Sequence, residues 1–310
     1  MKHFLKLTLL TAFLSINGIG STVFSDDNKG TEYLLYFMGG QSNMEGFGYN
    51  KDLPIELKSP NTNVMIFHGN LSFDNKPNGG LGVWSPLQPG HGTGSKSDGI
   101  VNTLSNRFGP ELSFGDEAHK LSNKKIAIIK YAAGGTALYG GTGYGNWDPD
   151  FDTANGINQY DNALTAIRMA MSKRDIDGDG KLDTLMPTGI IWMQGEADAY
   201  EVEEAAINYE RNLKQIMDLL RAALHRDDLP VIIGKINDSG MSPKGYLMKY
   251  VKEVQSAQQA FVNNDKCAIY VQETEQYAFI EDGWHYDSSG FINMGKAFAS
   301  AADKLHKKCK

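Results

Sequence analysis

Ser42 stands in the run Gly39-Gly40-Gln41-Ser42-Asn43-Met44-Glu45-Gly46, directly behind the apolar stretch 33–38. An apolar strand that ends in two glycines and then presents a hydroxyl lifts a nucleophile above the carboxyl edge of a sheet, where open α/β sheets bind their ligands. Glycines at such a turn accept positive φ and let a substrate approach the backbone. Many serines in glycine-rich turns do no chemistry, so this one needs partners before it counts as a nucleophile.

A serine hydroxyl attacks poorly until a base takes its proton, and histidine is the usual base. His3 belongs to a leader-like segment, His68 and His91 to a long loop-like stretch, and His225 to the end of a helical pattern. A carboxylate that orients the imidazole narrows the choice, and Asp-x-x-His lets one turn supply both groups. That spacing occurs three times: Asp116 with His119, Asp282 with His285, and Asp303 with His306. The first and third fall inside helical patterns, where i, i+3 pairs are surface contacts worth about 0.2–0.5 kcal/mol. Asp282-Gly283-Trp284-His285 instead follows the last strand-like segment and precedes a helix that Asp287 or Ser288 can cap. Both of its polar side chains can project over the sheet's carboxyl edge.

Two further clusters fall after strand-like runs. Gln194-Gly195-Glu196-Ala197-Asp198 crowds polar groups at a strand tip. Burying a carboxylate there is costly, so the crowding indicates a site rather than packing. Gln194 can donate an amide N–H to a developing oxyanion, and Glu196 can orient His285 or a neighbouring loop. Ala133-Gly134-Gly135-Thr136 offers backbone N–H groups, and each oxyanion donor is worth about 10²–10³ in rate.

These clusters meet only if a sheet brings them together. From residue 111 onward, strand-like and helix-like segments alternate, as in parallel βαβ units. A helix over 111–122 leads to a strand over 125–131. Tyr160, Leu164, Ile167 and Met171 recur at helical spacing before a strand over 189–193. Ala206, Tyr209, Leu213, Ile216, Leu220 and Leu224 do the same before 231–236, and Leu247, Val251, Val254 and Phe261 before 268–271. A last helix carries Phe291, Met294, Phe298 and Leu305. With the strand before Ser42, the expectation is a five-stranded parallel sheet covered on both faces, in one domain over 26–310. Residues 47–108, rich in Gly, Asn, Pro and Ser, read as loop, and with 139–157 they are expected to wall a substrate cleft. Trp84, Tyr139, Tyr144, Trp147 and Phe151 lie in these segments, where aromatics either stack on sugar rings or pin their loops. Tyr139, Trp147 and, beside the histidine, Trp284 are the substrate-binding candidates.

Lys2 and Lys6 precede the apolar run 7–19, and Val23-Phe24-Ser25 resembles a cleavage site, so residues 1–25 read as a secretory signal peptide. The apolar run is shorter than the roughly 20 residues of a spanning helix. The expected location is therefore secreted or periplasmic, with no membrane association after cleavage. Disulfides persist in such compartments, and Cys267 and Cys309 either bridge the last helix to the last strand or stay free. A net charge of −7 without a basic, aromatic-interleaved run argues against nucleic-acid binding. Asp175, Asp177, Asp179, Lys181 (through its carbonyl) and Asp183 alternate as in the first part of a calcium loop, with Gly180 at the sharp turn. Met186 and Pro187 stand near where the bidentate glutamate would be, so a structural Ca²⁺ and a solvated acidic turn both remain open.

Gly40-Gln41-Ser42-Asn43-Met44, Gln194-Gly195-Glu196-Ala197-Asp198 and Asp282-Gly283-Trp284-His285, in that order, resemble the SGNH hydrolase superfamily, and within it the sialate O-acetylesterase and acetylxylan esterase group. The likeness extends to Gly109-Pro110-Glu111 and to Lys130-Tyr131-Ala132-Ala133-Gly134-Gly135-Thr136. It implies a flavodoxin-like, three-layer α/β/α fold and an esterase that removes acetyl groups from O-acetylated carbohydrates. By motif, Ser42 would be the nucleophile, His285 the general base and acid, and Asp282 the orienting carboxylate, with Glu196 as its competitor. The Ser42 and Gly134 amides would form the oxyanion hole. Where the superfamily's third block supplies asparagine this chain has Ala197, and Gln194 would take that role. No cofactor is required for this chemistry. A non-catalytic, calcium-dependent carbohydrate-binding protein and a lipid esterase or thioesterase on the same scaffold are the alternatives.

Overall fold

The apolar run before Ser42 forms β1 (Lys29–Gly40), buried from Leu35 to its end, in a computed structural model that describes residues 29–73, 76–151 and 156–309. Residues 1–28, which include the signal-peptide reading, lie outside the described residues. Burial on both faces explains why β1 reads as a continuous apolar run rather than an alternating one.

The other strands of the main sheet are β2 (Asn61–His68), β3 (Trp84–Leu87), β4 (Lys125–Ala132), β5 (Leu182–Met193), β6 (Val231–Gly234) and β7 (Ala268–Val271). Their order is β7-β6-β5-β1-β4-β2-β3. All neighbouring pairs are parallel except β2 with the edge strand β3. The sheet thus has seven strands, not the five expected. The two extra ones come from the 47–108 stretch, where abundant Gly and Asn conceal the buried core Val64–Phe67 of β2. Four apolar residues are too few to show a period, so composition outweighed pattern there.

Between the strands run α1 (Ser42–Glu45), α2 (Glu111–Ser122), α3 (Gln159–Ser172), α4 (Glu196–Ala199), α5 (Glu203–Ala223), α6 (Val251–Asn264) and α7 (Ser288–Lys308). Helices α2 and α7 pack together on one face, while α3, α5 and α6 cover the other. This is the three-layer α/β/α arrangement. The α5 stripe is buried as its spacing requires, at Tyr209, Leu213, Ile216 and Leu220. Asp287 caps α7, its carboxylate accepting the Gly290 N–H at 2.7 Å. The α7 end is tied down covalently: Cys267, just before β7, and Cys309, just after α7, form a disulfide with Cα atoms 5.8 Å apart. Among the described residues no helix is long and apolar enough to cross a membrane.

Two neighbouring strand tips carry the site. β1 and β5 end side by side, Gly40 against Met193. Gly40 has φ +145°, and a Cβ there would lie 2.0 Å from the Met193 carbonyl oxygen, so only glycine lets the chain turn into α1 at that tip.

Candidate active site

α1 starts on Ser42 immediately above the β1 tip, held by Gln41 N–H to Met193 O (3.0 Å) and by the amides of Met44 and Glu45 to Gln41 O (both 2.8 Å). From below, Lys130 of β4 donates to the carbonyl oxygens of Glu45 (2.8 Å) and His91 (2.7 Å) and to Glu111 Oε2 (2.7 Å). Lys130 and Glu111 are both fully buried, and Glu111 Oε1 also accepts the Gly109 N–H at 3.0 Å. A buried charge is tolerated only when its donors and acceptors are met, as these are. The Gly109-Pro110-Glu111 and Lys130 motifs therefore serve as a footing for the serine turn.

A cavity of about 490 Å³ opens above these tips. Gln41, Ser42, Gly134, Glu196, Trp284 and His285 line it, so residues from four separate motifs converge. His285 Nδ1 lies 2.6 Å from Asp282 Oδ2, while Asp282 Oδ1 accepts the backbone N–H groups of Trp284 (2.8 Å) and His285 (3.0 Å). With Nδ1–H given to the carboxylate, Nε2 keeps its lone pair for a proton from elsewhere. Burial pushes the Asp282 carboxyl up, but these three donors outweigh it and hold it below the usual carboxylate range. Phe47 stacks on the imidazole with ring centroids 3.7 Å apart and planes 6° from parallel. The Ser42 hydroxyl and the imidazole share the cavity but no hydrogen bond joins them. The other two Asp-x-x-His pairs stay on helix surfaces, with Asp116 bound to Lys120 and Asp303 to Lys307, each at 2.6 Å.

Glu196 does not touch the imidazole. Its Oε1 accepts Asn43 Nδ2 at 2.8 Å, and Asn43 Nδ2 also donates to Trp284 O at 3.1 Å while Asn43 Oδ1 accepts the Tyr286 N–H at 3.4 Å. Asn43 thus grips the chain on both sides of His285 from the position next to Ser42, with Glu196 behind it. Glu196 Oε2 is buried without a partner, and burial raises this carboxyl, only partly offset by Asn43. Glu45 is raised by burial too, against the hydrogen bonds of Thr93 and the Gly134 amide and the charges of Lys130 and His285.

Four sequence expectations are corrected. Gln194 is 0 % exposed and faces away from the cavity: its Nε2 donates to Thr136 O (3.0 Å) and Asp198 Oδ2 (2.6 Å), and its Oε1 accepts the Tyr209 hydroxyl (3.0 Å). Gly134 does line the cavity, but its N–H donates to Glu45 Oε2 at 2.9 Å and is not free for a substrate oxygen. Trp147 is 0 % exposed, packed edge-on against Trp192 (centroids 4.9 Å) with its indole N–H on Thr136 Oγ1 (3.0 Å), so it pins its loop. Tyr139 is half-buried and outside the cavity wall; its N–H, like that of Leu138, is held by Asp198. Trp284 does line the cavity, joined by Tyr144, 90 % exposed, and Tyr200, whose ring meets Trp284 edge-on with centroids 5.6 Å apart. Tyr200 lies just past the Gln194–Asp198 motif, and that adjacency is the signal that points to it.

In the acidic loop, carboxylate oxygens of Asp175, Asp177 and Asp183 lie within 4.8 Å of one another. Asp175 accepts the amides of Gly178 (2.7 Å) and Gly180 (3.0 Å), and buried Asp183 those of Thr31 and Ile176 (both 2.8 Å). Asp177 Oδ2 accepts the Tyr33 hydroxyl at 2.8 Å, and Asp179 Oδ1 the Lys181 amide at 2.9 Å. The loop's carboxylates are thus held by amides of the loop itself and by Thr31 and Tyr33 of β1.

The model of the family described as carbohydrate esterase, sialic acid-specific acetylesterase, matches residues 32–304. The chain belongs to this family. A protein from Arabidopsis thaliana is similar in structure, with a TM-score of 0.59 at 19 % identity over 90 % of this chain and 99 % of that one. A carbohydrate acetylesterase from Xanthomonas citri gives 0.56 at 17 % over 88 % of this chain and 56 % of that one. The protein NanS gives 0.56 at 14 % over 90 % and 99 %. At such identities the likeness is one of fold. No curated protein matches the chain by sequence. The matched span contains every residue of the cavity wall, so this carbohydrate esterase carries its candidate site within the family's domain.

Proposed function

We propose that this carbohydrate esterase is an exported serine esterase that cleaves acetyl esters of carbohydrates in two steps. Ser42 attacks the acetyl carbonyl as His285 Nε2 takes its proton, and Asp282 stabilises the imidazolium that forms. His285 then protonates the departing sugar oxygen, and water activated by the same nitrogen releases acetate. The observation that carries the reading is the Asp282-held imidazole lining one cavity with Ser42. Transfer of the proton from Ser42 to His285 is part of the proposal; such contacts tighten when substrate binds. The leader-like 1–25 segment and the disulfide support export.

The aromatic wall of Phe47, Tyr144, Tyr200 and Trp284 suits a sugar ring, and among the described residues no lysine or arginine lines the cavity. Lys244 and Lys249 border a separate 330 Å³ hollow beyond Tyr200 and Trp284. An uncharged acetylated sugar, as in acetylxylan, is therefore favoured over sialic acid, whose carboxylate would find no charge-assisted partner in this wall. Acetate release from acetylxylan, O-acetylated sialic acid and an aryl acetate tests both levels. Ser42→Ala should lower kcat at least about 10³-fold on all of them while keeping the fold; wild-type turnover in that variant overturns the serine reading. Faster release from the sialic acid overturns the substrate preference alone.

A further inference from the structure

An acyl-transfer site needs hydrogen-bond donors aimed at the oxygen that becomes negative. Of the donors the motifs suggest, the Gly134 amide is spent on Glu45 and the Gln194 amide on Thr136 and Asp198. Ala197 has no donor in its side chain. Among the described residues no hydrogen bond takes up the Ser42 N–H, so one donor is in place beside the nucleophile.

Gln41 lines the same cavity and is 3 % exposed. Its backbone groups are satisfied by Met193, Met44 and Glu45. Its side-chain oxygen accepts two backbone amides, those of Gly195 (3.3 Å) and Ala197 (3.2 Å). Two N–H donors on one end settle which end of the amide is oxygen, since an NH₂ there would face donor against donor. The Nε2 group is then the end left over, without an acceptor among the described residues and not fully sealed from solvent. The contact with the Ala197 amide sets this side chain against the very position where the third motif lacks an asparagine.

We propose that Gln41 is a catalytic residue, its Nε2–H supplying with the Ser42 N–H the oxyanion donors of this site, and that Gln194 belongs to the framework that holds Asp198. The inference rests on the serine-esterase reading above. Gln41→Glu keeps the length and both backbone contacts but replaces the donor with an acceptor. With an aryl acetate, kcat should fall about 10²–10³-fold, with KM changed less than about threefold and melting temperature within a few degrees of wild type. A kcat within about fivefold of wild type, with Ser42→Ala inactive, overturns the Gln41 assignment and leaves the serine reading standing. Turnover surviving in both variants overturns the serine reading and the assignment with it. Should Gln41→Glu fail to fold, the structure of the wild-type protein phosphonylated on Ser42 decides: a phosphoryl oxygen about 3 Å from Gln41 Nε2 supports the assignment. That oxygen held by glycine amides of the 133–136 turn or by Gln194, with Gln41 turned away, overturns it.

Discussion

At the residue scale, the two carboxylates near His285 differ in what they can do. Asp282 accepts the imidazole N–H directly, whereas Glu196 reaches the histidine only through Asn43 and the backbone flanking position 285. A carboxylate that fixes the tautomer contributes far more than one that steadies the chain. Asp282→Asn should therefore lower kcat on an aryl acetate by about 10²–10⁴, because the amide can present N–H to Nδ1 and select the wrong tautomer. Glu196→Gln should cost less than about tenfold, since its oxygen can still accept from Asn43. Steady-state kinetics of the two variants side by side check the assignment, and equal losses contradict it.

At the element scale, the serine turn depends on β4 as well as on β1. Lys130 projects from β4 beneath α1 and joins Glu45 O, His91 O and Glu111 of α2. One buried ammonium thus joins a strand, the nucleophile turn, a long loop and a helix. Lys130→Met keeps the volume and removes the charge, leaving Glu111 uncompensated in the interior. Such a loss costs about 3–5 kcal/mol, and urea denaturation should show it as a lowered midpoint.

At the scale of the whole molecule, the site concentrates carboxyls that burial disfavours as anions. Burial raises Glu45 and Glu196, and pushes Asp198 up to about 7 against the hydrogen bonds of Leu138, Gln194 and Tyr139. A carboxyl with a raised value in the folded chain binds its proton more readily there than in the unfolded chain. Through these groups the native state holds more protons between about pH 4 and 7, whereas buried His68 and His91, lowered by desolvation and by the charge of Lys130, hold fewer there than in the unfolded chain, so the two sets oppose each other. Glu196→Gln removes one raised carboxyl, so urea unfolding of that variant should lose less stability, or gain more, between about pH 5.5 and pH 7.5 than the wild type does. The same pH dependence in the variant and the wild type would show that Glu196 is ionised in the native state at little cost.

Ser42, the Asp282–His285 pair and the alternation of strands and helices after residue 111 were legible in the chain because motif spacing and apolar periodicity are local properties. The helical stripes of α5 and α7 and the Asp287 cap are likewise written within a few residues of one another. Where each polar group points is not local. Gln41 and Gln194 are chemically identical amides beside equivalent strand tips, and only their surroundings separate them: Gln194 meets Asp198, Thr136 and Tyr209 inside the protein, while Gln41 spends its oxygen on the next turn and keeps its NH₂. Trp147 and Tyr144 sit in one aromatic-bearing loop, yet one is enclosed and the other stands at the cavity mouth. A hydrogen bond or a buried ring is a relation between residues distant in sequence, and packing of the tertiary structure alone decides which partners are near enough to form it.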